Sequence, residues 1–233
     1  MKKLAASIIV LAVAVIFLLG LSSCYKSGPV YELNEDGKGY TLVGTEGTVH
    51  TLVIDTYKGL PVTAINDVAF INTSIQKVEI GKSVTSINDG AFSDCRSLKS
   101  ITVDEDNTVY KSINGNLYTE DGKTLIRYAV GKTDTSFTIP DSVTNIGLGA
   151  FNNCGSLEFV VIPDSVTSIG NSAFYGCDGL TSVTFKDTST WYRTGSYDNW
   201  INKTGGTQTA VTNASNIASY LSSSYDIEYW YKK

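Results

Sequence analysis

The apolar residues of this chain return on a fixed period, and that period limits the possible folds more than any local motif does. Val84, Ile87, Ala91, Phe92, Cys95, Leu98, Ile101 and Val103 set the pattern. The same offsets begin again at Val143 (Ile146, Ala150, Phe151, Cys154, Leu157, Val160, Ile162) and, 23 residues later, at Val166 (Ile169, Ala173, Phe174, Cys177, Leu180, Val183, Phe185). A copy from Val62 is one residue shorter after Phe70 and carries Thr73 where the others have Cys. One such unit cannot bury its own apolar face, so a repeat of roughly 20–29 residues predicts coils stacked into a solenoid.

Within each copy the sequence L-x-x-[IV]-x-[VIF] (Leu98, Ile101, Val103) supplies a short strand, and alternation over its last three positions, Ile101, Thr102 and Val103, points two side chains inward and one outward. The stretch from Ile87 to Cys95, with Gly90, Ala91 and Phe92, reads as a helical turn or short helix. Phe70, Phe92, Phe151 and Phe174 are expected to stack as an internal spine, and the cysteines as a column of small buried residues. Cys154 and Cys177, in adjacent coils, could also approach bonding distance. The expected fold is therefore a mainly β solenoid with short helical turns and a parallel sheet on one face.

Outside the regular copies the pattern changes. Residues 1–23 combine Lys2 and Lys3 with an apolar run and end at Leu21-Ser22-Ser23-Cys24, which reads as a lipoprotein signal peptide with lipidation at Cys24. The run also approaches the about 20 residues of a membrane-spanning helix. However, no positive cluster flanks its far end, and a small-residue cysteine motif stops it. Several acyl chains hold a protein to a bilayer durably. Residues 24–48 read as a linker and capping hairpin built around Asn34–Gly39, and residues 49–186 as the solenoid, starting from an incomplete coil at Val49, Leu52 and Ile54. Val103 and Ile139 lie 36 residues apart, so an insert at about 104–134 is expected. Asn114-Gly115 and Asp121-Gly122 turn it into a β-meander bulging from the stack. Phe137 and Ile139 would then rejoin the stack as its next strand. Residues 187–233 form an aromatic-rich C-terminal cap. Lys203–Thr212 resembles a linker, and Asn213–Ser222 could form a short helix.

The repeat S-V-T-x-I-x-x-x-A-F-x-x-C-x-x-L resembles the BspA-like, Treponema-type leucine-rich repeat. So do the insert from Asn114 to Ile126, the segment Tyr57–Ile65 and the ending Tyr229-Trp230-Tyr231-Lys232-Lys233. The resemblance implies a leucine-rich-repeat solenoid in a secreted or surface protein. It also implies binding to host extracellular matrix or cell-surface proteins in some members, and it carries over no catalytic residues.

Chemistry-bearing motifs are sparse, and the reading is of a non-enzyme without a cofactor. The net charge of −5, with no basic run, argues against nucleic acid as a partner. Removing the leader, with its two lysines, makes the rest more acidic. His50 is the only histidine and is expected at the surface. Asp104-Glu105-Asp106-Asn107 is the best calcium candidate, but it lacks the ligand spacing of a calcium loop and reads as a solvated turn. Trp191, Trp200 and Trp230 could stack on sugars, or cap the last coil. A glycan hydrolase would need paired carboxylates in a cleft, which no spacing provides. The candidate binding residues are instead the outward pairs of the sheet. Ser100/Thr102 and Ser182/Thr184 are small and polar, whereas Phe159/Val161 form one apolar pair that marks a protein-binding patch unless the insert covers it. The expected protein is lipid-anchored at the outer membrane or cell surface and binds protein. The alternative is a structural envelope lipoprotein of the periplasm.

Overall fold

The computed structural model describes residues 27–71, 73–187, 190–209, 218, 221–222 and 228–232. The leader and Cys24 lie outside these residues, as does most of the helix expected at Asn213–Ser222. The fold is a mainly β solenoid of about six turns with almost no helix.

Its N-terminal end is a hairpin of β1 (Gly28–Leu33) and β2 (Tyr40–Glu46), paired antiparallel. Gly37 N–H and Asn34 N–H close its turn on the carbonyls of Asn34 and Gly39. Then come β3 (Thr51–Ile54), β4 (Thr56–Tyr57), β5 (Leu60–Ile65), β6 (Lys77–Ile80), β7 (Ser86–Ile87) and β8 (Ser100–Val103). β3, β6 and β8 form one parallel sheet in which Leu52, Val78 and Ile101 share a register. β2, β5 and β7 form a second ladder on the opposite side of the coils, with Leu42, Ile65 and Ile87 in line. Each coil thus contributes one strand to a front sheet and one shorter strand to a back ladder.

The same plan resumes after the insert. β12 (Ser136–Thr138), β14 (Phe159–Ile162) and β16 (Ser182–Phe185) form a second parallel front sheet, with Phe137, Val160 and Val183 in register. Between the two front sheets lie β9 (Tyr110–Ile113), β10 (Asn116–Thr119) and β11 (Thr124–Arg127), the expected meander. Its third strand does not bulge away. β11 runs parallel to β13 (Asn145–Ile146), which pairs with β15 (Ser168–Ile169), so Leu125, Ile146 and Ile169 form the back ladder of the second half. The insert is therefore a hairpin followed by a shortened coil. Leu125 and Tyr128 are three residues apart, where Ile146 and Phe151 are five apart.

The Phe spine forms as two stacked pairs, Phe70–Phe92 with ring centroids 5.1 Å apart and Phe151–Phe174 at 4.7 Å. Tyr128 holds the spine position of the short coil. Its ring lies 5.5 Å from Phe151, and its N–H donates to the Ala150 carbonyl, as Phe151 N–H does to Ala173. A single apolar cluster links all of these residues.

The segments before each cysteine are successive turns, not helices. Bonds such as Ala91 N–H to Asn88 and Ser93 N–H to Gly90 span three residues. A left-handed residue then stops each run: Asp94, Asn153 and Gly176 have φ of 53°, 62° and 71°. Asn, Asp and Gly tolerate that region best. A second left-handed position precedes the alanine in three of the copies. Val68 sits at φ 59°, where Gly149 and Ser172 hold the equivalent place, and a β-branched residue is strained there. Val68 is also 51% exposed, so little burial is lost on replacement. Val68→Asn should stabilise the chain by about 1 kcal/mol and raise Tm by about 2–4 °C in a thermal melt.

The C-terminal end is closed by a returning strand. β17 (Trp191–Thr194) and β18 (Thr207–Thr209) flank a short helix, α1 (Tyr197–Asn202), and β19 (Tyr229–Lys232) runs antiparallel to both β15 and β17. Part of the segment that resembled a linker is thus strand β18. Trp191 meets Phe185 edge-on at 5.0 Å, and Lys232 Nζ donates to Asp187 at 2.6 Å and to the Asp164 carbonyl at 3.0 Å.

Candidate interaction face and the short-coil cleft

The outward side chains of the front strands divide between two sheets. Ser100 and Thr102 lie on β8, with Lys77 and Glu79 beside them in register and Thr51 and Val53 beyond. The hairpin packs against this strand: Ile101 N–H donates to Gly115 at 2.9 Å, and Val103 N–H to Ser112 Oγ at 3.3 Å. Phe159 and Val161 lie on β14, flanked in register by Ser136/Thr138 and Ser182/Thr184. Four of the six candidate residues, Phe159, Val161, Ser182 and Thr184, therefore share one sheet, and Ser100 and Thr102 do not join them. Phe159 is 48% exposed, so the described part of the insert leaves it open to solvent. Val53, 57% exposed on the first sheet, is a second apolar point that alternation places but the sequence reading did not single out. Beside it a cleft of about 280 Å³ is lined by Asp55, Glu79, Thr102 and Asp104 at the strand ends. Lys77 and Glu79 pair at 2.8 Å on this face, an exposed contact worth little.

Other candidates are structural. His50 Nδ1 lies 3.3 Å from the Ser74 carbonyl on the surface. Asn107, expected in a solvated loop, is buried. Its Nδ2 donates to the carbonyls of Gly81 and Val84, and its Oδ1 accepts from Val109 and Tyr110 N–H. Among the described residues no group of three or more His, Cys, Asp or Glu is placed to hold a metal ion. Trp191 and Trp230 are buried in the cap and cannot stack on a sugar; the side chain of Trp200 lies outside the described residues.

Cys95, Cys154 and Cys177 are free, buried thiols, so the Cys154–Cys177 bridge is not formed. Cys95 and Cys177 instead donate to the Phe70 and Phe151 carbonyls of the preceding coil, at 3.3 and 3.0 Å. Burial pushes the Cys95 thiol up from 9.0 to about 12, with Arg127 opposing and Asp94 reinforcing the shift. Because the unfolded thiol ionises first, this group's stabilising contribution is lost as pH rises from about 9 to about 12. At neutral pH a thiolate-trapping reagent should label none of these three cysteines in the native chain and all three in denaturant.

The short coil has no cysteine to meet the Phe92 carbonyl, and Arg127 takes over that role. The side chain is 4% exposed; its Nη2 donates to Phe92 O and its Nη1 to Gly149 O, both at 2.5 Å. Burial pushes its pKa down, opposed by the nearby Cys154, Cys95, Asp94 and Cys177. Sequence reasoning missed this residue. Its only signal is Arg127-Tyr128-Ala129, an arginine beside the reversed aromatic–alanine pair.

Two parallel front sheets with matching back ladders define a leucine-rich-repeat solenoid, a fold typical of protein–protein interaction. Six copies of the BspA type leucine rich repeat region match residues 60–120 and 130–224. With well over half of its length matched, the chain belongs to the BspA-type leucine-rich repeat family. Among solved structures it is similar to a leucine-rich cell surface protein from Faecalibacterium prausnitzii, at 33% identity and TM-score 0.51 over 59% of this chain and 41% of that one. It is also similar to a Treponema pallidum leucine-rich repeat protein, at 28% identity and TM-score 0.42 over 66% and 67%. The chain thus spans less than half the length of the F. prausnitzii protein. No curated protein matches it. The residues left between the two matched stretches include Arg127 and Tyr128.

Proposed function

We propose that this chain is a lipid-anchored bacterial surface protein that uses its second front sheet to bind a protein ligand, an extracellular-matrix or cell-surface protein of a host. Anchoring would run through acyl chains on Cys24, placing the solenoid outside the outer membrane. The observation that carries the binding face is Phe159, a half-exposed aromatic standing with Val161 between rows of Ser and Thr. Flat polar rows let a partner approach closely, and a central aromatic is the residue type that dominates interface energies.

With residues 24–233 presented to a panel of matrix and cell-surface proteins, Phe159→Ser should weaken the best interaction about tenfold or more, since losing one aromatic anchor costs upwards of about 1.4 kcal/mol. Unchanged affinity would count against this face. Protease treatment of intact cells tests the location. Digestion supports surface display, whereas protection would favour the periplasmic, structural reading.

A further inference from the structure

A second cleft, remote from the front sheets, opens where the short coil leaves the stack two residues thin. It has a volume of about 280 Å³ and is lined by turns of the Phe92, Phe151 and Phe174 coils, with Arg127 among its walls and Tyr229 of β19 at its side. Arg127 carries a buried charge with no ion pair among the described residues. Its Nε has no hydrogen-bond partner among them either, and a buried cation that no carboxylate contacts directly is costly, with Asp94 acting on it only at longer range. Of the two bonded nitrogens, Nη1 is the one whose acceptor borders the cleft. Gly149 lines the same space, and the Nη1 bond to it is only partly buried, whereas the Nη2 bond to Phe92 is fully buried. Nη1 carries two hydrogens, and Gly149 uses one. The same cleft holds the exposed carboxylate of Asp89, together with the amides Asn152 and Asn171. Burial raises the Tyr229 hydroxyl's pKa, with smaller contributions from Tyr197 and Asp89, so the phenol and that carboxylate lie in one electrostatic environment.

We propose that this cleft binds a small zwitterion, a free α-amino acid with a short polar side chain. The carboxylate accepts from the guanidinium of Arg127, the ammonium donates to Asp89, and the side chain meets Asn152 and Asn171. A sugar would meet the amides but satisfy neither charge, and an anion alone would be repelled by Asp89.

This reading is independent of the front-face proposal. The test is NMR titration of the folded chain, residues 24–233, with L-serine and with three probes that each lack a feature: ethanolamine (no carboxylate), glycerate (no ammonium) and glucose (neither charge). Serine should shift the side-chain amide signals of Asn152 and Asn171, and ethanolamine and glycerate should bind about tenfold or more weaker, the loss expected for one charge-assisted contact. Because Arg127 also supports the fold, the informative variant is Asp89→Asn at an exposed position, which should weaken serine about tenfold and erase its advantage over glycerate. Absence of serine binding would overturn the proposal. So would equal binding of serine and glycerate by the native chain, or a preference for glucose.

Discussion

Arg127→Ala should destabilise the chain by about 3–4 kcal/mol, seen as a fall in denaturant midpoint without loss of secondary structure under native conditions. Two carbonyls set the cost. In a full coil, Cys177 answers the Phe151 carbonyl and Cys95 that of Phe70. The short coil lacks the equivalent cysteine, so the guanidinium reaches across to Phe92 on one side and to Gly149 on the other. Truncation orphans both acceptors, each at about 1–3 kcal/mol, and adds a cavity. Removing a desolvated charge returns part of that loss, which sets the net figure. Arg127→Lys keeps a cation with three donors but loses the planar fork whose two nitrogens reach the two carbonyls, and its cost should fall between those of the native chain and Arg127→Ala.

Phe151→Ala should cost about 3–5 kcal/mol, the range for a fully buried aromatic. The ring is stacked on Phe174 at 4.7 Å and also lies 5.5 Å from Tyr128 and 5.8 Å from Phe137. It therefore joins a regular coil, the short coil and the first strand of the second front sheet. Phe92→Ala provides the comparison. Phe92 stacks on Phe70 at 5.1 Å but makes no ring contact across the insert among the described residues, so its cost should sit at the lower end of the same range.

Much of this architecture is legible in the amino-acid sequence, because stacking imposes a period on the side chains that fill the column. Leu98, Ile101 and Val103 announce β8 by spacing alone, and Asn114-Gly115 announces the hairpin turn through its left-handed backbone at φ 53° and 76°. The short coil escapes for the opposite reason. It keeps one ladder residue, Leu125, and one spine residue, Tyr128, but shortens the distance between them and inverts the aromatic–alanine order, so no fixed offset finds it. Its replacement hydrogen bonds come from a side chain, which leaves no periodic trace. On the interaction face, alternation places Phe159 and Val161 outward correctly on β14. Which outward pairs share a sheet is decided by where the hairpin docks, through Ile101 to Gly115 and Gly131 N–H to Leu98, and no local pattern encodes that. The tail tryptophans are ambiguous in sequence because their burial depends on β19 returning to pair with β15.

The central claim is that the two halves form one continuous stack through the short coil. Native-state hydrogen exchange measures this at two buried spine amides, Phe70 N–H bonded to Ala91 and Phe151 N–H bonded to Ala173. The account predicts that both exchange through one common opening with the same free energy, and that Arg127→Ala separates them. Different opening energies for Phe70 and Phe151 in the unaltered chain would show two independent stacks and contradict it.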